Sequence, residues 1–192
     1  MTTFLVKKGS MPFFTNVQSR CRGAELWCGG EVSSSARGDD GRHAPREELG
    51  EAQMGPSVFP QSVQDAYDAE IIFVAVPFPA HKDVAKQFKQ WNGKIVVDVT
   101  NAFHVAPEEL EDRLSSEVIS QAFVGARLVK AFNHLPAGQL GTNPSLDGQR
   151  QVVFVSSNDA DASATVAAVA TQLGFAPVEL GRLDKGGVPF MF

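Results

Sequence analysis

Four apolar runs of strand length, EIIFVAVP (70–77), KIVVDVTNAF (94–103), ARLVKAF (126–132) and RQVVFVSS (150–157), constrain the fold of this sequence more than any other feature. EIIFVAVP is apolar at odd and even positions alike and rich in β-branched residues, the pattern of a strand buried on both faces. Segments of helical period separate the runs. PAHKDVAKQFKQWNG opens with Pro79, sets Val84, Phe88 and Trp91 at i, i+4 and i+7 among Lys82, Lys86 and Lys89, and closes on Asn92-Gly93, so one amphipathic helix is expected across it. PEELEDRL and SSEVISQAF predict short helices starting at Pro107 and at Ser115 or Ser116. NDADASATVAAVATQLG predicts a capped helix with Val166, Val169, Ala170 and Leu173 inward and Gly174 at its end. APVELGRL reads as a last strand.

Doubly buried strands alternating with helices call for parallel pairing through right-handed crossovers. The expected fold class is therefore α/β, a Rossmann-like doubly wound and mostly parallel sheet. In that architecture ligands sit outside the carboxyl ends of the strands, where strand order reverses. The residues there are Val76-Pro77-Phe78, Thr100-Asn101-Ala102, Ala131-Phe132-Asn133-His134 and Ser156-Ser157-Asn158. Asn side chains both donate and accept, which suits ribose hydroxyls and a carboxamide, and Pro77 lets the chain leave the sheet without an unpaired N–H. The same residue types also build ordinary strand-to-helix turns.

The chain has 192 residues and a net charge of -5, with Lys and Arg scattered singly. That distribution offers no basic footprint for nucleic acid or for an anionic membrane surface. There is no apolar run of about 18 residues and no secretory-type leader at MTTFLVKKGSMPFF, so a cytoplasmic protein without a membrane partner is expected. Cys21 and Cys28 lack partners in ligand spacing, which argues against a disulfide framework and against a metal site.

The runs IIFVAVPFPAH, VVDVTNAF, ARLVKAFNHLP and VVFVSSNDADASATVAAVATQLGFAPVELGRLDKGG together resemble the NADP-dependent oxidoreductases of the coenzyme F420 reductase type, whose nucleotide domain is related to that of pyrroline-5-carboxylate reductases. The likeness runs from about Ile71 to Gly187. It implies an NADP(H)-binding Rossmann domain that moves hydride to or from a deazaflavin, coenzyme F420, or a flavin or other small acceptor. In the family a strand and a glycine-rich G-x-G-x-x-G-like turn precede a segment like FLVKKG, which here begins at Phe4. The first βα unit is thus expected to be incomplete. FFTNVQSRCRG is similar to the family's second strand and its Thr-Asn-Ser-Arg-Gly turn, so the resemblance places Ser19 and Arg20 on the 2′-phosphate that separates NADP from NAD, with Val17 and Gln18 interrupting the match.

Two regions follow: residues 1–60, a degenerate N-terminal part of the nucleotide domain expected to be largely loop or disordered, and residues 61–192, the Rossmann-like domain. Residues 21–56 are rich in Gly, Ser, Arg and acidic residues without periodicity and read as an altered frame or an insertion.

In ARLVKAFNHLP, Lys130 needs a carboxylate, a carbonyl or the sheet edge, because a buried unpaired ammonium is costly. Asp98 on a neighbouring strand is a candidate partner, and a direct ligand role is the other reading. Asn133 fits the nicotinamide or its ribose. His134 is the candidate proton donor, since imidazole titrates near neutrality. His81 and His104 suit turns or caps. Phe103, Phe132, Pro136 and Phe190 suit either an apolar pocket wall or the core.

The enzyme reading puts Ser19 and Arg20 on the 2′-phosphate, Val76 and Pro77 along ribose and diphosphate, and Asn101, Ala131 and Asn133 at the nicotinamide. The other reading is a non-catalytic Rossmann-type remnant or nucleotide-sensing module, with the sheet's central position unfilled and two raw edges that would favour a homodimer.

Overall fold

The computed structural model describes residues 2–7, 14–19 and 67–186, apart from 112 and 141, and gives the first two segments as paired strands. The main strands are β1 Thr2–Lys7, β2 Phe14–Ser19, β3 Ile71–Ala75, β4 Ile95–Asp98 and β5 Arg127–Ala131. A two-residue pair, β6 Ser145–Leu146 and β7 Gln149–Arg150, precedes β8 Val152–Ser157 and β9 Ala176–Glu179. The helices are α1 His81–Ala85, α2 Ser115–Ala122, α3 Ala137–Leu140, α4 Ala160–Gln172 and α5 Leu183–Gly186. One sheet of seven strands runs in the order β2, β1, β3, β4, β5, β8, β9.

The expected double burial holds where it was most legible. Ile71, Ile72, Phe73 and Val74 are all buried, and alternate residues feed opposite layers. Ile72, Val74, Val96 and Leu128 face one layer with Val84, Trp91, Ile119 and Phe123. Phe73, Val97, Val129 and Val155 face the other with Val166, Val169, Ala170 and Phe175. At roughly 1.5–3 kcal/mol for each large apolar side chain buried, these two layers dominate the stabilisation of the sheet. The α4 helix is as expected: Asp159 caps it by accepting from the Ala162 N–H at 2.9 Å, and Gly174 follows at φ +92, where a Cβ would also meet Pro144 Cγ at 3.0 Å.

Three expectations are corrected. The helix foreseen from Pro79 to Asn92 is a 3-10 turn over Phe78–Ala80 followed by only five residues of α1. The Trp91 indole N–H donates to the Ala85 carbonyl at 3.1 Å, taking the acceptor that the Lys89 N–H would use in a continuing helix. Trp91 is buried by this turn-back, packing 4.8 Å from Phe123 and 5.2 Å from Phe88 between ring centroids.

The second correction concerns strand direction. β3, β4 and β5 are parallel, with Val74 opposite Asp98 and Asp98 opposite Lys130. β8, however, enters antiparallel to β5, with Val129 opposite Ser157 and Ala131 opposite Val155, and β9 then runs parallel to β8. The connection from β5 carries the four-residue α3 and the β6–β7 pair, whose Asp147-Gly148 turn has φ of 51 and 76, the signature of a tight hairpin. It contains no crossover helix of the kind that parallel return requires.

Third, the position beside β3 is filled. β1 pairs antiparallel with β3 from Thr3 opposite Ala75 to Lys7 opposite Ile71, and β2 pairs antiparallel with β1. The stretch 21–56, Cys21 and Cys28 included, lies outside the described residues.

Candidate functional site

The carboxyl ends of β3, β4 and β5 adjoin one another because the three strands are parallel neighbours. At the end of β3, Val76 is buried and Pro77 is exposed, opening the 3-10 turn. At the end of β4, the Asp98 carboxylate folds back over its own turn: Oδ1 accepts from the Thr100 N–H at 2.8 Å and from the Thr100 hydroxyl at 2.7 Å. Asp98 Oδ2 accepts from Lys130 Nζ on β5 at 2.9 Å, and the same ammonium donates to the Thr100 carbonyl. Asp98 is 0% exposed and Lys130 6%. Lys130 is therefore held in a buried ion pair with the carboxylate on the neighbouring strand.

Above this pair the two strand ends clasp each other. The Asn101 amide donates to the Asn133 carbonyl at 2.7 Å, and the Asn133 amide donates to Asn101 Oδ1 at 3.0 Å. Ala131 lies beneath, fully buried. Between Ala131 and Asn133 the chain turns at Phe132 with φ of 65, a conformation unusual and costly for an aromatic residue. The Phe132 ring is held in the core 5.8 Å from Phe73 and 5.9 Å from Phe175, which fixes the reversal that brings Asn133 back over β4.

His134 is half-buried rather than freely accessible. Its Nε2 lies 3.2 Å from the Val152 carbonyl and its ring centroid 4.9 Å from that of Phe154. Burial pushes the imidazole below its usual pKa, against a smaller opposing effect of the Val152 carbonyl. His81 is buried as well: its Nδ1 bonds the Phe78 carbonyl, and burial, more than any other effect, lowers its pKa. Phe103 stands 56% exposed beside the site, while Phe132 belongs to the core.

Ser156, Ser157 and Asn158 do not form a strand end on this edge, contrary to expectation, because the antiparallel entry of β8 sets Ser156 opposite Lys130 and Ser157 opposite Val129 and sends the chain from there toward the start of β5. There they fasten secondary structure: the Ser157 hydroxyl donates to the Leu128 carbonyl at 2.6 Å, and Asn158 Oδ1 accepts from the Leu183 N–H at 3.2 Å. Beside them Arg127 and Asp159 form a bidentate pair at 2.7 and 2.9 Å, which the sequence reading missed. Two-pronged registry between a strand's first residue and a helix cap 32 positions away has no local sequence signal.

By contrast Ser19 does lie on the site's edge. Thr3 is opposite Ala75 and Thr2 opposite Ser19, so the carboxyl ends of β2 and β3 point the same way, with β1 between them. Arg20 lies outside the described residues. From β2 to β5 the edge spans four strand spacings, about 19 Å.

The chemistry of this edge fits a dinucleotide. Pro77, Asn101 and Asn133 present amides and a small apolar surface there, while Val76 and Thr100 are buried beneath them. The one carboxylate among these turns, Asp98, is buried and already paired, so it does not repel a phosphate. Among the described residues no group of three His, Cys, Asp or Glu side chains could hold a metal ion, and no helix is long and apolar enough to cross a membrane.

The family described as "NADP oxidoreductase coenzyme F420-dependent" matches residues 27–102. The chain is 36% identical over 115 residues to the metalloreductase STEAP3 of Rattus norvegicus, a match that covers 59% of this chain and 23% of that relative. The chain thus spans about a quarter of the curated relatives it matches. Among solved structures, a hypothetical protein from Sinorhizobium meliloti is 40% identical with a TM-score of 0.67, covering 71% of this chain and 68% of its own. A protein from Arthrobacter sp. FB24 assigned as an F420-dependent NADP reductase is 27% identical with a TM-score of 0.55, covering 67% and 63%. With its Rossmann-type sheet and its polar crest at the parallel strand ends, the chain is similar to the coenzyme F420-dependent NADP oxidoreductases, whose family it matches over residues 27–102.

Proposed function

We propose that this chain binds NADP(H) along the edge formed by Ser19, Val76, Pro77, Asn101 and Asn133, and serves hydride transfer between that cofactor and a small acceptor. The observation that carries the reading is the clasp of Asn101 and Asn133 across adjacent parallel strand ends, above turns whose one carboxylate among the described residues, Asp98, is buried and paired.

Bound there, the cofactor supplies the hydride, and the protein's task is to align donor and acceptor and to keep water out. Asn101 and Asn133, set by one another, orient a carboxamide with donors and acceptors already in place. Val76 and Ala131 are packed beneath the edge, and Pro77 contributes an apolar surface without an N–H. Ser19 and Arg20 take the 2′-phosphate. His134, kept neutral near pH 7 by its burial, serves as a hydrogen-bond partner for the acceptor and as a proton donor only at lower pH.

The Arthrobacter structure's assignment favours a deazaflavin acceptor, and the name of the rat relative favours a metal complex. Turnover of NADPH with coenzyme F420, a free flavin and a ferric chelate in parallel would choose among them. Binding is tested first, by titrating NADPH and NADH into the 192-residue chain and following nicotinamide fluorescence. Micromolar affinity with a preference for NADPH is expected. No binding at millimolar cofactor, in a sample folded by circular dichroism, would overturn the proposal.

A second reading, a nucleotide-sensing module without turnover, draws on the lack of any G-x-G-x-x-G run in the sequence. Such a turn contributes backbone hydrogen bonds to charged oxygens worth about 1.5–3 kcal/mol each. Binding without oxidation by any of the three acceptors would favour it.

A further inference from the structure

The Asp98–Lys130 pair lies under the proposed cofactor edge and contacts nothing that a hydride transfer would need. Burying two charges, at 0% and 6% exposure, gains little net stability, because the lost hydration offsets most of their attraction. Two apolar residues of similar volume would hold β4 to β5 as well. What the pair does that apolar residues could not is grip Thr100.

That grip involves both peptide groups of the residue. Asp98 Oδ1 takes the Thr100 N–H and hydroxyl, and Lys130 Nζ takes the Thr100 carbonyl. The Thr100 carbonyl belongs to the peptide unit that leads into Asn101, so its capture fixes the plane from which the Asn101 side chain departs. Asn101 then holds Asn133 through both of the clasp's hydrogen bonds. On the β5 side, Asn133 stands three residues beyond Lys130, across the left-handed turn at Phe132 that Phe73 and Phe175 anchor. The clasp is therefore suspended between two fixed points: the ammonium of Lys130 below β4's turn, and the wedged ring of Phe132 below β5's.

We propose that Lys130 is the positioning residue of this edge: acting through Asp98 and Thr100, it sets the height and orientation of the Asn101–Asn133 clasp without itself touching the cofactor. The role in cofactor binding rests on the function proposed above, whereas the mechanical link from Lys130 to the clasp does not.

The test uses the full chain labelled with 15N. Lys130→Met alone strands a buried carboxylate and is expected to unfold, so the neutral double variant Asp98→Asn/Lys130→Met carries the measurement. Thr100→Val, which removes only the hydroxyl branch and leaves the charges in place, serves as a milder second probe. In the wild type the side-chain amide resonances of Asn101 and Asn133 are expected to stand apart from those of exposed amides. In the double variant they collapse toward exposed values, and in Thr100→Val they shift part of the way. The dissociation constant of NADPH rises about tenfold in the double variant, the loss of one well-placed hydrogen bond, while its circular dichroism spectrum is unchanged.

Amide resonances that stay in place in both variants would overturn the assignment, whatever the cofactor does. A clasp that loosens in a protein whose wild type fails to bind NADPH would sink the cofactor reading and leave the mechanical role of Lys130 standing. A purely structural pair would lower the unfolding midpoint and move neither the resonances nor the affinity.

Discussion

Two side chains tie the stability of the described region to pH in the same direction by different routes. Asp159 is held well below the usual carboxylate range, first by its hydrogen bonds to Arg127 and then by the Ala162 N–H. A depressed carboxylate pKa adds stability that is present above the unfolded value, about 3.9, and is lost as pH falls below it. Asp159→Asn keeps a good helix cap but loses the ion pair. Its thermal midpoint is expected to lie below wild type at pH 7, with the gap closing as the pH drops below about 4. A gap that persists unchanged in acid would show that the charge contributes nothing.

His81 has a folded pKa below its unfolded value because burial disfavours the imidazolium. The unfolded chain then binds more protons as pH falls through about 6.5, so stability falls with it. His81→Asn, whose amide can still donate to the Phe78 carbonyl in place of Nδ1, is expected to flatten the wild-type decline of the midpoint between about pH 7 and pH 5. The residue scale also shows what could not be read in advance. Asn101 and Asn133 were recognisable as amides at strand ends, but a mutual clasp depends on the left-handed turn at Phe132, and nothing about a phenylalanine announces one.

At the scale of elements, strands were legible and directions were not. Burial on both faces forces a continuous apolar run, and such runs located β3, β4, β5 and β8. RQVVFVSS reads equally well as a parallel or an antiparallel strand, since periodicity carries no arrow. The available clue was the connection before it, too poor in helix to make a crossover. The shortened α1 has a similar cause: Val84, Phe88 and Trp91 are spaced for one helical face, yet the Trp91 indole competes for the carbonyl of Ala85 and ends the helix. Trp91→Phe keeps most of the apolar surface while releasing that carbonyl, and is expected to destabilise the chain by about 1–3 kcal/mol. Chemical denaturation with an unchanged m-value would check it, and a change below about 0.5 kcal/mol, the level of an ordinary surface substitution, would contradict the part given to the indole.

For the whole molecule, β1 is the piece that closes the open side of β3. Its five backbone pairings from Thr3 to Lys7 cover an edge that otherwise exposes the hydrogen-bonding groups of a strand with Ile, Ile, Phe and Val in sequence. An uncovered apolar edge recruits other chains. A chain beginning at residue 61 is therefore expected to self-associate in sedimentation velocity, with a weight-average size that grows with concentration, where the full chain does not. A truncated chain that remained monomeric at high concentration would show that β3 needs no such cover.

The reversed entry of β8 also bears on how the molecule assembles in time. β8, α4 and β9 form a contiguous β-α-β unit within residues 152–179, and its strands pair with each other in parallel. This unit can close over a short span of chain. β3, β4 and β5 must instead be gathered over residues 71–131, at a larger loop-closure entropy. The seam between the two, β5 against β8, is short, with three residue pairings from Val129–Ser157 to Ala131–Val155. Its formation brings Phe175 to Phe132, adding the second of the two rings that hold the left-handed turn carrying Asn133. The proposed cofactor edge is in this sense completed late in folding, and mutations along the seam are expected to slow the recovery of NADPH binding after denaturation more than they slow the return of helix.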